Sequence, residues 1–210
     1  MNMMSKTPQK PMQKDAKAPK IQIRKSMRLG SMFSEILPLM MLFIGNSLYN
    51  IFVGAAASVL CTVIVLTIIW QKEHRVARFA LFSVILSFCF TCAAIIFGES
   101  TFIKIQPTLF NGVFSFVLLG GWLRDQAMMK QFFGAQFILT EDVWKILSLR
   151  WGIFFFVLAV SNEWAWRSLS DDGWVWFKTF IAAPATGLFM LAQLPITIRG
   201  TKAAKAEANR

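Results

Sequence analysis

Charged and apolar positions along the chain fall into separate blocks. Residues 36–70 are uncharged throughout, 35 positions in succession, and a helix of that length would run roughly 50 Å, well past a hydrocarbon core of about 30 Å. The run is still short of two complete spans of about 20 residues each. Asn46, Ser47, Tyr49 and Asn50 interrupt it where a turn has to be, so the pattern predicts a short first helix over 33–48 and a full span over 51–70. Three further uncharged runs, 79–98, 105–123 and 179–198, are each long enough to cross a bilayer. Between the last two lies 143–162, apolar but with Lys145 and Arg150 in its first two turns. It spans only if those long side chains snorkel toward the headgroups. Thr140 stands where it can cap the free N–H groups of that helix, with Glu141 and Asp142 on the positive end of its dipole. Pro184, inside the last run, predicts a kink.

These elements define an all-α fold, a polytopic transmembrane helix bundle of six segments: five full spans plus one short N-terminal helix. The segments are about 33–48, 51–70, 79–97, 106–123, 143–162 and 175–197, in a membrane domain 31–198 between basic tails 1–30 and 199–210. Composition agrees, since 56% hydrophobic and 16% charged residues are too apolar for an ordinary soluble surface. The net charge of +11 alone would suggest a nucleic-acid binder, but its distribution argues for the lipid bilayer as partner and against nucleic acid. Every Lys and Arg except Lys104, Arg167 and Lys178 falls in the tails, in the connections or in the first two turns of 143–162, all on one side of the predicted bundle. By the positive-inside rule that side is cytoplasmic. Both termini are then cytoplasmic, which requires an even number of crossings and makes the short first helix the sixth. The competing arrangement has five spans, with 33–48 re-entrant or interfacial and the basic tail outside. The short helix, about 24 Å long, bridges only with local thinning. The eight tryptophans fall near predicted helix ends, Trp70, Trp122, Trp144 and Trp151 on one side and Trp164, Trp166, Trp174 and Trp176 on the other, as expected of indoles anchored at both interfaces.

Tail 1–30 has little apolar content before Ile21 and is expected to be disordered or to lie on the anionic leaflet by charge. Read as a cleaved signal peptide, it has too long a basic region, and Ala55 and Ala57 lie too far from the apolar core. Within 124–139, Met128, Met129, Phe132 and Phe133 recur at helical spacing beside Arg124 and Lys130, predicting a short amphipathic surface helix that ends near Gly134, either a lid or a partner site.

Catalytic chemistry is sparse. Cys61, Cys89 and Cys92 all lie inside predicted spans; the C-x-x-C of the last two has no neighbouring base and reads as two small apolar residues. With His74 the single histidine, no metal site can be built on imidazoles, no cofactor motif is present, and His74 reads as a solvated loop residue. Polar groups at membrane depth carry more weight because burying them is expensive. Lys104, Asn111, Asn162, Glu163, Arg167 and Lys178 gather at the outer ends of three spans. There they either line an outward-facing cleft fit for an anionic headgroup or lipid-linked substrate, or simply anchor and pair: Lys178 with Asp171 or Asp172, Arg167 with Glu163. The small-xxx-small pairs Gly54/Ser58 and Ala183/Gly187 permit close helix contact and, with it, a homo-oligomer.

Some of these residues form a recognisable series. Thr101-Phe102-Ile103-Lys104, Pro107-Thr108, Asn111, Leu149-Arg150-Trp151, Phe154-Phe155, Asn162-Glu163, Trp166-Arg167, Trp174-Val175 and Phe177-Lys178 resemble, in order and spacing, the intracellular septation protein A family of bacterial inner-membrane-spanning proteins. Leu37-Pro38 and Tyr49-Asn50-Ile51 extend the likeness, which covers about 35–198. Two positions depart from the family: Gln106 replaces a second Lys, and Asn50 stands where an Asp is frequent. The long basic N-terminal tail is an addition. The resemblance implies a multi-pass protein of cell-envelope biogenesis, membrane integrity and septation, working through contacts with cell-division and elongation proteins, with no catalytic residue to carry over. It adds Arg150 to the candidate polar site of Lys104, Asn111, Arg150, Asn162, Glu163, Arg167 and Lys178.

Three functions follow for comparison. A non-enzymatic envelope and division factor needs no catalytic constellation. A small transporter or lipid-handling protein needs the polar side chains to converge on one cavity. An intramembrane enzyme needs acid–base groups, and one histidine without paired intramembrane carboxylates offers few.

Overall fold

The structure is a computed structural model that describes residues 25–73, 78–134 and 137–208. The tail before residue 25 and His74 therefore lie outside the described residues.

All described elements are helical: α1 (Lys25–Leu48), α2 (Ile51–Glu73), α3 (Arg78–Phe97), α4 (Thr101–Leu123), α5 (Met128–Phe133), α6 (Glu141–Ser168), α7 (Asp171–Phe177), a π-helical turn (Lys178–Ala182) and α8 (Ala183–Ala208). Four stretches are long and apolar enough to cross a membrane: Ile51–Gln71, Thr101–Leu123, Glu141–Ser168 and Asp171–Glu207. Ile36–Leu48 and Ser83–Phe97 are shorter apolar stretches. α1 begins at Lys25, eight positions before the expected start at 33, and α8 continues through the expected tail as far as Ala208. Ala203, Ala204, Ala206 and the neighbouring Lys202 and Lys205 are good helix formers, so nothing local stops that helix.

The first connection is as tight as its polar cluster suggests. Asn50 Oδ1 accepts the Val53 N–H at 3.0 Å and caps α2. An Asp in its place would offer the same acceptor, so the departure from the family at Asn50 leaves the turn intact. α1 and α2 approach until a Cβ on Gly45 would lie 2.6 Å from Gly54 Cα, and one on Gly54 2.5 Å from the Leu42 carbonyl oxygen. The small residues of α2 thus serve a contact within the chain, whereas a Cβ on Gly187 would meet nothing within 4 Å. α3 ends at Gly98, whose φ of +67° lets the Glu99 N–H reach back to the Ala94 carbonyl at 3.1 Å.

α4 and α6 form the central pair. Gly152 lets α6 approach so closely that a Cβ there would meet Leu119 Cδ2 at 2.7 Å. Phe114, Phe155, Trp151 and Phe189 carry the packing across to α8, with Phe154 stacked on Phe189 at 4.0 Å between ring centroids. The amphipathic segment folds as α5 and ends at Gly134. It lies back on the bundle, with the Met129 N–H donated to Ser148 Oγ at 3.0 Å and Phe132 against Phe114. Thr140 holds the N-cap position of α6 with extended backbone, but its side chain makes no cap hydrogen bond. Glu141 and Asp142 supply the negative charge of that first turn.

Two tryptophans depart from the expected interfacial belt. Trp174 is fully buried, with Leu42, Ile51, Ala94, Ile103 and Ala165, and Trp144 is buried with Leu139 and Leu147 at the opposite end. Both sit near helix ends but face inward. Trp70, Trp164 and Trp176 remain exposed on the outside.

Candidate functional site

One end of the bundle concentrates the polar side chains. The turn after α1, the start of α4 and the α6–α7 corner meet there, tied by Asn46 Nδ2 donating to Asp172 Oδ1 at 2.6 Å and Ser100 Oγ to Asp171 Oδ1 at 3.0 Å. Lys104, buried one turn into α4, reaches the same Asp171 oxygen at 2.7 Å. A buried ammonium needs a partner of this kind, because an unpaired charge at such a site costs several kcal/mol (on the order of 3–5). The expected partner of Asp171 was Lys178. Lys104 takes it instead, since α4 brings its ammonium to the start of α7 while Lys178 lies two turns further along.

Asn162 is the hub. Its amide nitrogen donates to the Lys104 carbonyl at 2.8 Å and to Thr108 Oγ1 at 2.9 Å, and its oxygen accepts the Trp174 indole N–H at 3.0 Å. This explains why Trp174 can be fully buried with a polar N–H. Glu163, one residue on, accepts from the Trp166 indole at 2.8 Å, Thr108 Oγ1 at 3.2 Å and Arg167 Nε at 2.6 Å. The Arg167–Glu163 pair anticipated from the sequence is present, on an exposed face where the Arg167 guanidinium also covers the Trp166 ring.

Asn111 and Lys178 join Asn162 in the wall of a cavity of ≈ 210 Å³ whose remaining lining is mostly apolar, including Leu39, Pro107, Phe177 and Ala182. Of the seven candidate residues, three therefore share a cavity wall, and Lys104 and Glu163 stand behind it in the hydrogen-bond network. Arg167 points away on the surface. Arg150 belongs elsewhere: it precedes Asn162 by 12 positions, about 18 Å along α6, and donates to Gln193 Oε1 at 3.2 Å on α8. Gln106, the second departure from the family, accepts a hydrogen bond from Ser87 on α3. Asn46, Thr108, Asp171, Asp172 and Gln193 were absent from the candidate set although they complete its contacts. Among the described residues no group of His, Cys, Asp and Glu is arranged to hold a metal ion, and the three cysteines are free.

The network falls on the residues that carried the family resemblance. The model of the family described as intracellular septation protein A matches residues 31–204. The chain belongs to that family. A protein of Nitrobacter hamburgensis described as inner membrane-spanning protein YciB is 36% identical over 166 residues, 79% of this chain and 83% of the relative. Relatives with the same description in Sinorhizobium fredii, 34% identical over 88% of this chain and 94% of the relative, and in Brucella melitensis, 36% identical over 80% and 82%, agree. No solved structure matches the chain. Membership of the intracellular septation protein A family, with its membrane-length apolar helices, makes this a multi-pass inner-membrane protein.

Proposed function

We propose that the protein supports cell-envelope biogenesis, membrane integrity and septation without catalysis, through contacts with division and elongation proteins. It has both termini in the cytoplasm and the polar end of the bundle facing out. The observation that carries this reading is the saturation of the polar network. Lys104, Asn162 and Glu163, the groups with the chemistry to act as acid, base or nucleophile assistant, are each held by partners within the chain. A group so committed fixes helix positions. That leaves recognition to the outer faces and to the basic ends.

A transport path has less support. Arg150 stands about 18 Å from the rest of the candidate set, and the polar groups between α4 and α6 tie the helices together across the route.

Complementation of a bacterium lacking its own family member tests the proposal, scored by cell length and envelope leakage with membrane insertion confirmed. Glu163→Gln and Arg167→Gln are expected to complement, whereas removal of residues 1–24 together with 201–210 abolishes complementation and the recovery of crosslinked division proteins. Full complementation by the truncated chain, with loss in the two point variants, would overturn it.

A further inference from the structure

Among the described residues, Lys178 is a cation at the polar end with no acidic partner. Asp171 is taken by Lys104 and Ser100, Asp172 by Asn46, and Glu163 by Arg167, Trp166 and Thr108. What Lys178 has is the face of Trp174, with its ammonium 4.9 Å from the ring centroid. Trp174 lies one turn nearer the end of the bundle, so the side chain reaches up toward the interface, as a lysine at this depth must.

The space beside it has a structural origin. Pro184 has no N–H to give to the carbonyl four residues earlier, and the helix accommodates it with the π turn Lys178–Ala182. Lys178, Ala182 and Ala183 face the cavity from this widened turn, and Ala182 and Ala183 leave much of it unfilled. Asn111 faces it from α4 with no hydrogen-bond partner for its amide among the described residues. Asn162, by contrast, has its amide fully engaged elsewhere. The ≈ 210 Å³ available is less than the roughly 300–1,000 Å³ of pockets that enclose a whole small molecule, so it admits one part of a larger ligand. The rest would lie in the bilayer along the apolar walls.

We propose that this cavity is a binding site for an anionic phospholipid. The phosphodiester pairs with the Lys178 ammonium near the interface. The Asn111 amide, deeper in the bundle, donates to an acyl ester carbonyl, and the chains run out past Leu39, Pro107 and Phe177. Two donors at two depths with apolar walls between them match a diacyl glycerophospholipid better than a free anion, which has no ester to offer Asn111. The site concerns lipid binding and stands apart from the scaffold role, which can fail or hold independently of it.

The test is native mass spectrometry of the full chain in a zwitterionic detergent, titrated with phosphatidylglycerol, phosphatidylcholine, and inorganic phosphate as competitor. Wild type is expected to bind its first phosphatidylglycerol about tenfold more tightly than phosphatidylcholine, and Lys178→Met to lose that preference. Lys178→Arg retains it, and so does Arg199→Gln, which removes an exposed cation from the opposite end. Asn111→Leu lowers phosphatidylglycerol affinity and serves as the deciding variant if Lys178→Met does not fold. An unchanged preference in Lys178→Met, or, where that variant does not fold, an unchanged phosphatidylglycerol affinity in Asn111→Leu, overturns the proposal, as does equal binding of the two lipids by wild type. Displacement by inorganic phosphate at lipid-like concentrations overturns the assignment to a lipid.

Discussion

Asn162 shows how a polar side chain is made tolerable at membrane depth. Its three hydrogen bonds reach α4 twice and Trp174 once, so removing the amide strands the buried Trp174 indole N–H and cuts both side-chain ties from α6 to α4. Asn162→Ala is expected to destabilise the protein by about 2–3 kcal/mol, since each orphaned buried group costs about 1–3 kcal/mol. Arg167→Ala removes an exposed pair and is expected to cost no more than about 1 kcal/mol. Thermal unfolding of the two variants in one detergent measures the difference, and equal losses would contradict the assignment of Asn162 as the hub. Sequence reasoning finds Asn162 and Lys104 because polar residues at the outer ends of apolar runs are expensive to bury and stand out. It does not find Asp171 as the partner of Lys104 or Asp172 as the partner of Asn46. Those pairs join residues 67 and 126 positions apart, and only the relative placement of three helices brings them together. Thr108 and Gln193 escape notice for another reason: an isolated hydroxyl or amide in a membrane helix ordinarily bonds to its own backbone.

At the level of elements, the apolar runs locate the helices but not their ends. Helix propensity carries α1 and α8 beyond the membrane-length segments, through charged stretches that a hydropathy pattern treats as tails. The turn at Asn50 is legible because its polar cluster has no other use, and the irregularity before α8 is legible from Pro184. Its form, a π turn over Lys178–Ala182 rather than a simple kink, is not. Small-residue spacing is ambiguous by nature, and the two pairs divide accordingly. Gly54→Ala places a Cβ against the Leu42 carbonyl oxygen at 2.5 Å and is expected to cost about 1–3 kcal/mol by forcing α1 and α2 apart. Gly187→Ala meets open space and is expected to be neutral or stabilising by up to about 1 kcal/mol. The melting temperatures of the two variants check this, and the opposite order would show that Gly187 is the residue packed against another helix.

On the scale of the whole molecule, the bundle has two unlike ends. At one, Asn46, Ser100, Lys104, Asp171 and Asp172 close a network in which Lys104 pairs with Asp171 and the Asn46 amide holds Asp172. At the other, Lys130 with Glu141 and Lys145 with Asp125 form exposed pairs. Val143 there lies against Gly200, near the exposed cations Arg199 and Lys202. A net charge of +11 that looks like a nucleic-acid signature is thus concentrated away from the polar network, on the basic tails and the connections near them. Under the proposed orientation, which follows the positive-inside rule, this end faces the anionic inner leaflet. The proposed function rests on this polarity, which would place the network and the Lys178 cavity outward and the basic ends toward the division machinery. The most direct measurement is a pair of topology reporters fused after residue 30 and after residue 50 of the inserted chain, one active only in the cytoplasm and the other only beyond the membrane. The account predicts a cytoplasmic signal at 30 and an extracytoplasmic one at 50, so that the first helix crosses. An extracytoplasmic signal at 30 would contradict it.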